Sequence, residues 1–239
     1  MYKNLSDLGI KIFADGADVP TMKKMASLSH IKGLTTNPTL MKKAGISDYA
    51  AFAKDVLATI KDKPISFEVF SEDFEIMRKQ ALEISNWGDN VYVKIPITNS
   101  EGRPTLDLIK DLSKNKVKVN VTAIMTTEQV ASVVNSLNPS TPSYISVFAG
   151  RIADTGRDPM PIMKESLLIM KENPLSELIW ASPRELLNVI QADSIGCHVI
   201  TATSDILSKL NNLGKDLTQF SLETVQMFNN DALAAGYSL

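Results

Sequence analysis

The stretch Asn90-Val91-Tyr92-Val93-Lys94-Ile95-Pro96 decides how the rest of the chain is interpreted. Its β-branched and aromatic residues predict a β-strand, whose side chains alternate between two faces. The three aliphatic residues therefore share one face, and Tyr92 and Lys94 share the other. If the aliphatic face packs in the core, Lys94 lies inside whatever this strand lines.

A lysine in that position has two interpretations. A buried ammonium group is costly unless it is paired, so Lys94 could be an ion-paired or snorkelling side chain. Alternatively, burial keeps its amine uncharged, and an uncharged amine can attack a carbonyl carbon to form a Schiff base. The rest of the chain decides between these two interpretations.

Short apolar strands alternate with longer helical stretches along the chain. The strands are predicted at residues 10–15, 31–37, 64–70, 90–96, 116–124, 143–149, 177–182 and 197–203. Helices are predicted at residues 19–29, 48–60, 71–86, 105–114 and 160–171, after Thr126, from Pro183, from Ser204, and at 217–234. Thr126 and Gln129 have the spacing of a capping box, which marks a helix start.

Eight strand–helix units without a linker, in 239 residues, predict one closed (β/α)8 barrel over residues 1–239 with a C-terminal helix. The alternative is a doubly wound open sheet. No strand is followed by the G-x-G-x-x-G turn that many such sheets carry, which favours the barrel.

Composition excludes several classes of protein. Hydrophobic residues make up 44% of the chain and charged residues 22%, which is typical of a globular domain. A net charge of -2 argues against a nucleic-acid or anionic-membrane surface. Cys197 is the single cysteine, and neither a signal peptide nor a membrane span is recognisable, so we expect a cytoplasmic protein. With two scattered histidines we expect no metal site, and no cofactor is predicted.

Polar residues recur near the carboxyl ends of the predicted strands. Thr35 and Asn37 share a face of the second strand, and the sixth and seventh strands place Ser146 with Phe148 and Trp180 with Ser182. A barrel binds its substrate at this end. The residues expected to converge there are Asp15, Glu68, Lys94, Asn120, Thr122 and Ser182. A polar core network would be the purely structural alternative.

Two arginines follow neighbouring strands and suggest an anion site. Gly150-Arg151 follows the sixth strand, and Ser182-Pro183-Arg184 follows the seventh. Helix N-termini attract anions, and arginine binds phosphate oxygens in a fork. Each residue also has a structural explanation, with Ser182 as a helix cap and Arg184 as a solvated side chain.

Taken together, these residues resemble the transaldolase family of Schiff-base aldolases. The matching stretches, which occur in family order, are Gly33-Leu34-Thr35-Thr36-Asn37-Pro38, Ser66-Phe67-Glu68-Val69, Val91-Tyr92-Val93-Lys94-Ile95-Pro96, Asn120-Val121-Thr122, Ser146-Val147-Phe148-Ala149-Gly150-Arg151-Ile152-Ala153-Asp154 and Trp180-Ala181-Ser182-Pro183-Arg184. The length resembles the short bacterial branch, which usually forms large rings, so the resemblance implies a homo-oligomer.

The resemblance implies a catalytic role for four residues. Lys94 would be the Schiff-base lysine, and Asp15 would be the acid and base of carbon–carbon cleavage. Glu68 and Thr122 would hold the water that relays protons to and from the imine. Sugar phosphates would be the substrates.

The resemblance also implies two sets of binding residues. The substrate chain would contact Thr35, Asn37, Asn120, Ser146, Phe148 and Trp180. The terminal phosphate would be held by Arg151, Ser182 and Arg184.

The resemblance is compatible with two reactions, transfer of a dihydroxyacetone unit to an acceptor and release of free dihydroxyacetone. Glu68 and Phe148 favour a transaldolase, because the fructose-6-phosphate aldolase branch tends to carry Gln and Tyr there. Release of free dihydroxyacetone is the alternative, and another anionic end such as a sulfonate is a further one. A sugar-phosphate-binding barrel without catalysis is the non-enzymatic alternative. Val147 and the segment 15–18 depart from the family pattern, which bears on the acceptor more than on the chemistry.

Overall fold

Eight parallel β-strands close into a barrel in the computed structural model, which describes residues 4–237. Neighbouring strands pair in chain order, and the last strand pairs with the first. The strands are β1 (Lys11–Asp15), β2 (Ile31–Thr35), β3 (Ile65–Glu68), β4 (Val91–Pro96), β5 (Val119–Ile124), β6 (Ser143–Val147), β7 (Ser176–Trp180) and β8 (Val199–Thr203). The predicted barrel is confirmed, and the ends of the predicted domain, residues 1–3 and 238–239, lie outside the described residues.

Helices connect the strands on the outside of the barrel and complete the (β/α)8 pattern. They are α1 (Val19–Ser27), α2 (Pro38–Lys43), α3 (Tyr49–Thr59), α4 (Phe74–Ser85), α5 (Leu106–Lys114), α6 (Thr127–Ser136), α7 (Ala149–Ala153), α8 (Met160–Ile169), α9 (Leu187–Ser194), α10 (Ser204–Ser208) and the C-terminal α11 (Leu217–Ala235). Thr126 and Gln129 form the predicted capping box at the start of α6. In the part of the chain that the structure describes, no helix is long and apolar enough to cross a membrane.

Several element boundaries differ from the sequence prediction for local reasons. β5 begins at Val119 instead of residue 116, because Lys116 has a left-handed φ of 64° that ends the preceding turn. The helix predicted from Pro183 begins at Leu187. Before it, the side-chain oxygen of Asn188 accepts hydrogen bonds from the backbone of residues 184 and 185 and closes a turn. The short helices α2 and α7 were not predicted.

The barrel separates two apolar clusters. The aliphatic face of β4 packs outward in the large core between strands and helices, as predicted. Inside the barrel, Phe13 meets Tyr144 edge-on with ring centroids 5.6 Å apart, and Tyr92 lies 4.3 Å from the same ring. Gly33 leaves the room for Phe13, since a β-carbon there would come within 2.5 Å of its ring. Aromatic side chains therefore fill part of the interior and leave polar residues to line the carboxyl end.

The assignment of faces on β7 was wrong for Trp180. Ile179 and Ala181 belong to the apolar cluster inside the barrel (the interior cluster). Trp180 is instead buried in the core between the strands and the helices (the outer core). Ile200, its partner on β8, is in the outer core as well. The side chains of β7 therefore alternate as predicted, but each face is the reverse of the predicted one. Ser182 nevertheless reaches the interior side, because its φ of 56° breaks the alternation two residues after the strand ends.

Candidate active site

A cavity of about 580 Å³ opens at the carboxyl ends of the strands. All but two of the predicted site residues line it. They are Asp15, Thr35, Asn37, Glu68, Lys94, Thr122, Ser146, Phe148, Arg151, Ser182 and Arg184. The other two, Asn120 and Trp180, are buried elsewhere. A cavity of this size at this end of a barrel accommodates a small molecule.

Lys94 lies at the centre of this cavity's polar wall. Its Nζ is 2.6 Å from Oε1 of Glu68, its register partner on β3, and donates a hydrogen bond of 2.6 Å to the carbonyl oxygen of Thr36. The side chains of Lys94 and Glu68 are 8% and 9% exposed. Among the described residues, Lys94 is the one lysine that is buried. Its geometry combines both interpretations of the sequence, an ion pair and an amine facing a cavity.

Two side chains hold Asp15 in the cavity lining. One comes from β2 and the other from the turn that follows it. Thr35 Oγ1 donates to one carboxylate oxygen at 2.7 Å, and Asn37 Nδ2 donates to the other at 3.1 Å. Asn37 Oδ1 accepts the backbone N–H of Leu40 at the start of α2, which orients the amide group toward Asp15. Thr35 also contacts Thr201 of β8, with 2.6 Å between the hydroxyl oxygens.

Burial makes both carboxyl groups harder to ionise. Desolvation raises the pKa of Asp15, and the charge of Lys94, with the hydrogen bonds from Thr35 and Asn37, opposes this only in part. Desolvation likewise raises the pKa of Glu68 against the opposing effect of Lys94. A carboxylate that binds its proton more tightly than usual is suited to accept a proton and return it.

Two polar atoms in the cavity wall have no hydrogen-bond partner among the described residues. They are Oε2 of Glu68 and Oγ1 of Thr122, and both are buried. Unpaired buried polar atoms are costly, and at a site they are available to a bound molecule. Their placement in the cavity wall fits the relay role that the resemblance implied.

A bulge in β5 positions Thr122. Val121 pairs with Ile145 and Ile124 with Val147, so β5 carries one extra residue between these pairs. The extra residue, Ala123, has a left-handed φ of 63°. That conformation costs a non-glycine residue roughly 1–2 kcal/mol, and such strain is concentrated at functional sites.

Asn120 lies beneath the cavity and does not line it. It is fully buried, its Nδ2 donates to Ser66 Oγ at 2.9 Å, and its Oδ1 accepts from Ser146 Oγ at 2.7 Å. The amide therefore supports Ser146, which does line the cavity, from below. The structure therefore brings Asn120 next to the site, and its contact with substrate stays a prediction.

The two predicted arginines share one rim of the cavity. The loops after β6 and β7 touch there, because Gly150 approaches the carbonyl of Ser182 so closely that a β-carbon would lie 1.5 Å from it. Arg184 is oriented by Asp154, with Nε to Oδ1 at 2.9 Å, and this hydrogen bond lowers the pKa of Asp154. Arg151 makes no hydrogen bond or salt bridge to a residue that the structure describes, and its side chain is exposed.

Sequence reasoning missed further residues of the site, three of which contact predicted ones. Thr201 lines the cavity and contacts Thr35, and the alternation of β8 would have placed it inside the barrel. Thr36 contributes only its carbonyl oxygen, which no side-chain pattern reveals. Tyr49 of α3 accepts the backbone N–H of Glu68 at 2.6 Å, a contact between distant segments that the sequence does not indicate.

The closed (β/α)8 barrel and the buried lysine–carboxylate pair in its carboxyl-end cavity place this protein in the class of barrel proteins with a polar site at that end. The comparisons with known proteins narrow this class. The family described as "Transaldolase/Fructose-6-phosphate aldolase" matches residues 12–238. The chain belongs to this family.

Similar proteins carry a consistent name. A "Probable transaldolase" of Dehalococcoides mccartyi is 36% identical over 202 residues, which cover 84% of this chain and 90% of that protein. A "Probable transaldolase" of Methanococcus maripaludis is 36% identical over 204 residues, covering 85% and 90% of the two chains. One from Thermoanaerobacter sp. is 34% identical over 202 residues, covering 84% and 89%.

We predict that Asp15→Asn stabilises the fold at neutral pH. The raised pKa of Asp15 means that the folded state binds the proton more tightly than the unfolded chain, so stability falls as pH rises from the ordinary value of 3.8 through the raised one. Asparagine avoids that loss, and its Nδ2 can donate to Thr35 while its Oδ1 accepts from Asn37. The thermal midpoint should rise at pH 8 by about 2–4 °C for each kcal/mol gained.

Calorimetry between pH 4 and pH 8 tests this prediction. The gain should shrink toward pH 4, because more of the wild-type Asp15 is protonated there in the native state. Asp62→Asn, an exposed position, is the matched control and should change little at either pH. A midpoint that falls at pH 8 would mean that the Asp15 carboxylate is stabilising.

Proposed function

We propose that this protein is a transaldolase that transfers a dihydroxyacetone unit from a ketose phosphate to an aldose phosphate through a Schiff base on Lys94. The observation that carries the proposal is the contact between Lys94 Nζ and Glu68 Oε1 in a cavity that also contains Asp15. Membership of the family and the names of the relatives agree with it. The residues and their distances support a sequence of three steps.

The first step makes the nucleophile. Glu68 takes a proton from the Lys94 ammonium group across their 2.6 Å contact, which is aided by the raised pKa of Glu68. The freed amine attacks the ketose carbonyl carbon and forms a carbinolamine. Returning a proton to the carbinolamine oxygen releases water and leaves the protonated imine. The unpaired oxygens of Glu68 and Thr122 are available to hold that water.

The second step breaks the bond between C3 and C4. Asp15 accepts the proton of the C4 hydroxyl, the C3–C4 electron pair moves into the imine, and an aldehyde leaves. The three-carbon unit stays on Lys94 as an enamine. Thr35 and Asn37 keep the Asp15 carboxylate in one orientation, which this proton transfer requires.

The third step reverses these movements on a new aldehyde. The enamine carbon attacks the acceptor carbonyl, and Asp15 returns its proton to the oxygen that becomes the new hydroxyl. Water then adds to the imine and frees Lys94. Nothing is oxidised or reduced, so the residues of the cavity suffice for the whole cycle.

The arginine rim supports a phosphate as the anionic end. Arg151 and Arg184 border the cavity on the side of the loops after β6 and β7. Asp154 restricts Arg184 to one orientation, and a guanidinium that is already oriented loses less entropy on binding an anion. Ser182, in the loop after β7, also lines the cavity and offers its hydroxyl to the same group.

We propose that the protein works in the cytoplasm in pentose phosphate metabolism and assembles from several copies of this chain. The C-terminal helix α11 has no buried residue and exposes many large apolar side chains. They are Leu217, Phe220, Leu222, Val225, Met227, Phe228 and Leu233. A second copy would cover this apolar surface, which a monomer leaves in water.

Lys94 should carry the covalent intermediate. Borohydride added to the enzyme with fructose 6-phosphate should reduce the imine and leave a three-carbon adduct on Lys94, located by peptide mass spectrometry. Lys94→Arg should fold and be inactive, because arginine does not release a proton to become a nucleophile. Lys54→Arg, on the exposed surface of α3, is the control. An adduct on another lysine would refute the assignment, and no adduct would favour a binding barrel without catalysis.

Arg151 and Arg184 should act on the phosphate and not on the reacting carbons. Replacing either by alanine should raise KM for fructose 6-phosphate roughly 10-fold or more, the usual effect of losing a charged hydrogen bond. Some loss of kcat is expected if phosphate binding also positions the substrate. The unphosphorylated donor should suffer less. Arg103→Ala, at a position that does not line the cavity, is the control, and equal losses on both donors would make Arg151 and Arg184 structural.

Phe148 should favour transfer over release of the three-carbon unit. Phe148 lines the cavity beside the interior cluster and offers no hydroxyl to a hydrolytic water. Wild type should therefore turn over slowly without acceptor and quickly with erythrose 4-phosphate. Phe148→Tyr should shift the balance toward free dihydroxyacetone, at a cost of about 1–3 kcal/mol if the new hydroxyl finds no partner.

The assay is dihydroxyacetone release from fructose 6-phosphate with and without acceptor, for both proteins. Phe74→Tyr, at the partly buried start of α4 and outside the cavity lining, controls for a general effect of the added hydroxyl. Rapid release by wild type without acceptor would instead identify an aldolase.

A further inference from the structure

A second cavity lies at the opposite end of the barrel from the candidate active site. Its volume is also about 580 Å³, and it is bounded by α8, the turn after it, and the segments that lead into β7 and β8. Because it borders the amino-terminal ends of these strands, none of its lining residues belongs to the catalytic cavity. Its function is therefore separate from the transfer chemistry.

Asn173 is a buried polar residue in the wall of this second cavity. Its exposed fraction is 2%, and its Oδ1 has no hydrogen-bond partner among the described residues. The backbone N–H and carbonyl of Asn173 are both used in local turns, so the side chain is left as the unsatisfied group. A ligand with an N–H or O–H donor would satisfy it and recover the cost of its burial.

His198 supplies a donor on another wall of the cavity. Its Nδ1 accepts the backbone N–H of Leu178 at 2.9 Å, so the proton of the neutral ring must be on Nε2. Burial lowers the pKa of His198, with the charge of Lys11 acting in the same direction and that of Glu177 opposing it. The neutral ring therefore presents an N–H group on the side away from Leu178.

The rest of the lining is basic and apolar. Lys164 and Lys171 border the opening, and none of the described residues that line this cavity is acidic. Leu167 and Ile195 are partly buried and pack against the outer core, which gives the cavity an apolar wall. Two ammonium groups, an apolar wall and an unsatisfied acceptor complement a small molecule with an anionic group, an apolar body and one hydrogen-bond donor.

We propose that this second cavity is a binding site for a small anionic ligand of that chemistry, with Lys164 and Lys171 at its anionic group and Asn173 at its donor. The site requires no catalytic residue. Its occupancy is independent of sugar phosphate in the catalytic cavity.

The probe 1-anilinonaphthalene-8-sulfonate has all three features, a sulfonate, an apolar ring system and an N–H donor. Fluorescence titration of the full chain should show saturable binding. Combined Lys164→Glu and Lys171→Glu should weaken it about 10-fold, since both favourable charges become repulsive. Asn173→Leu keeps the branched shape of the side chain, although leucine is larger, and removes the acceptor. It should weaken binding about 3- to 10-fold, and thermal denaturation checks that the variant is folded.

Matched controls separate this site from other apolar surfaces. Combined Lys79→Glu and Lys110→Glu, on α4 and α5, repeats the charge change elsewhere and should leave affinity unchanged. Phe228→Ala, on α11, should also leave it unchanged, and fructose 6-phosphate should not displace the probe. Unchanged affinity in both cavity variants, displacement by fructose 6-phosphate, or loss in the α11 variant would overturn the proposal.

Discussion

The contact between Lys94 and Glu68 is the constraint on which the site depends. Two opposite charges removed from water are costly singly and tolerable only as a pair, so neither residue can be placed without the other. The parallel pairing of β3 and β4 brings them into register, and closure of the barrel surrounds them with side chains from other strands. Apolar packing between the strands and the helices maintains this register. The core thereby offsets the cost of burying the Lys94–Glu68 pair, which the site needs.

Closure also explains how residues far apart in the chain meet at Asp15. β1 pairs with both β2 and β8, so Asp15 lies between Thr35 and the last strand. An open sheet would leave β1 and β8 at opposite edges and separate Thr35 from Thr201. The neighbours that orient the Asp15 carboxyl group therefore come together only in a closed barrel. The proposed proton transfer by Asp15 depends on this closure.

Alternation within strands predicted most of the fold and site, and it failed where strands end. Lys94 and Asn120 lie within β4 and β5, Glu68 is the last residue of β3, and a period of two places all three inward. Trp180 was placed on the wrong face because Ser182 was taken to share its face, and Ser182 turns inward only through its left-handed φ. Asn120 was placed on the correct face, but its amide is hydrogen-bonded between Ser66 and Ser146 and does not line the cavity. The orientation of Arg184 by Asp154 depends on tertiary approach, which single-residue patterns do not encode.

The close approach of Gly150 to Ser182 has a consequence for how specificity can change. The loops after β6 and β7 share a contact with no spare volume, so a substitution or insertion in one displaces the other. A lineage acquiring a new acceptor would have to alter both loops together, and intermediates with only one change would lose the shared boundary of the pocket. We therefore expect residues in the segments after β6 and β7 to change together during evolution. The residues of the strands beneath them should not change in step with these segments.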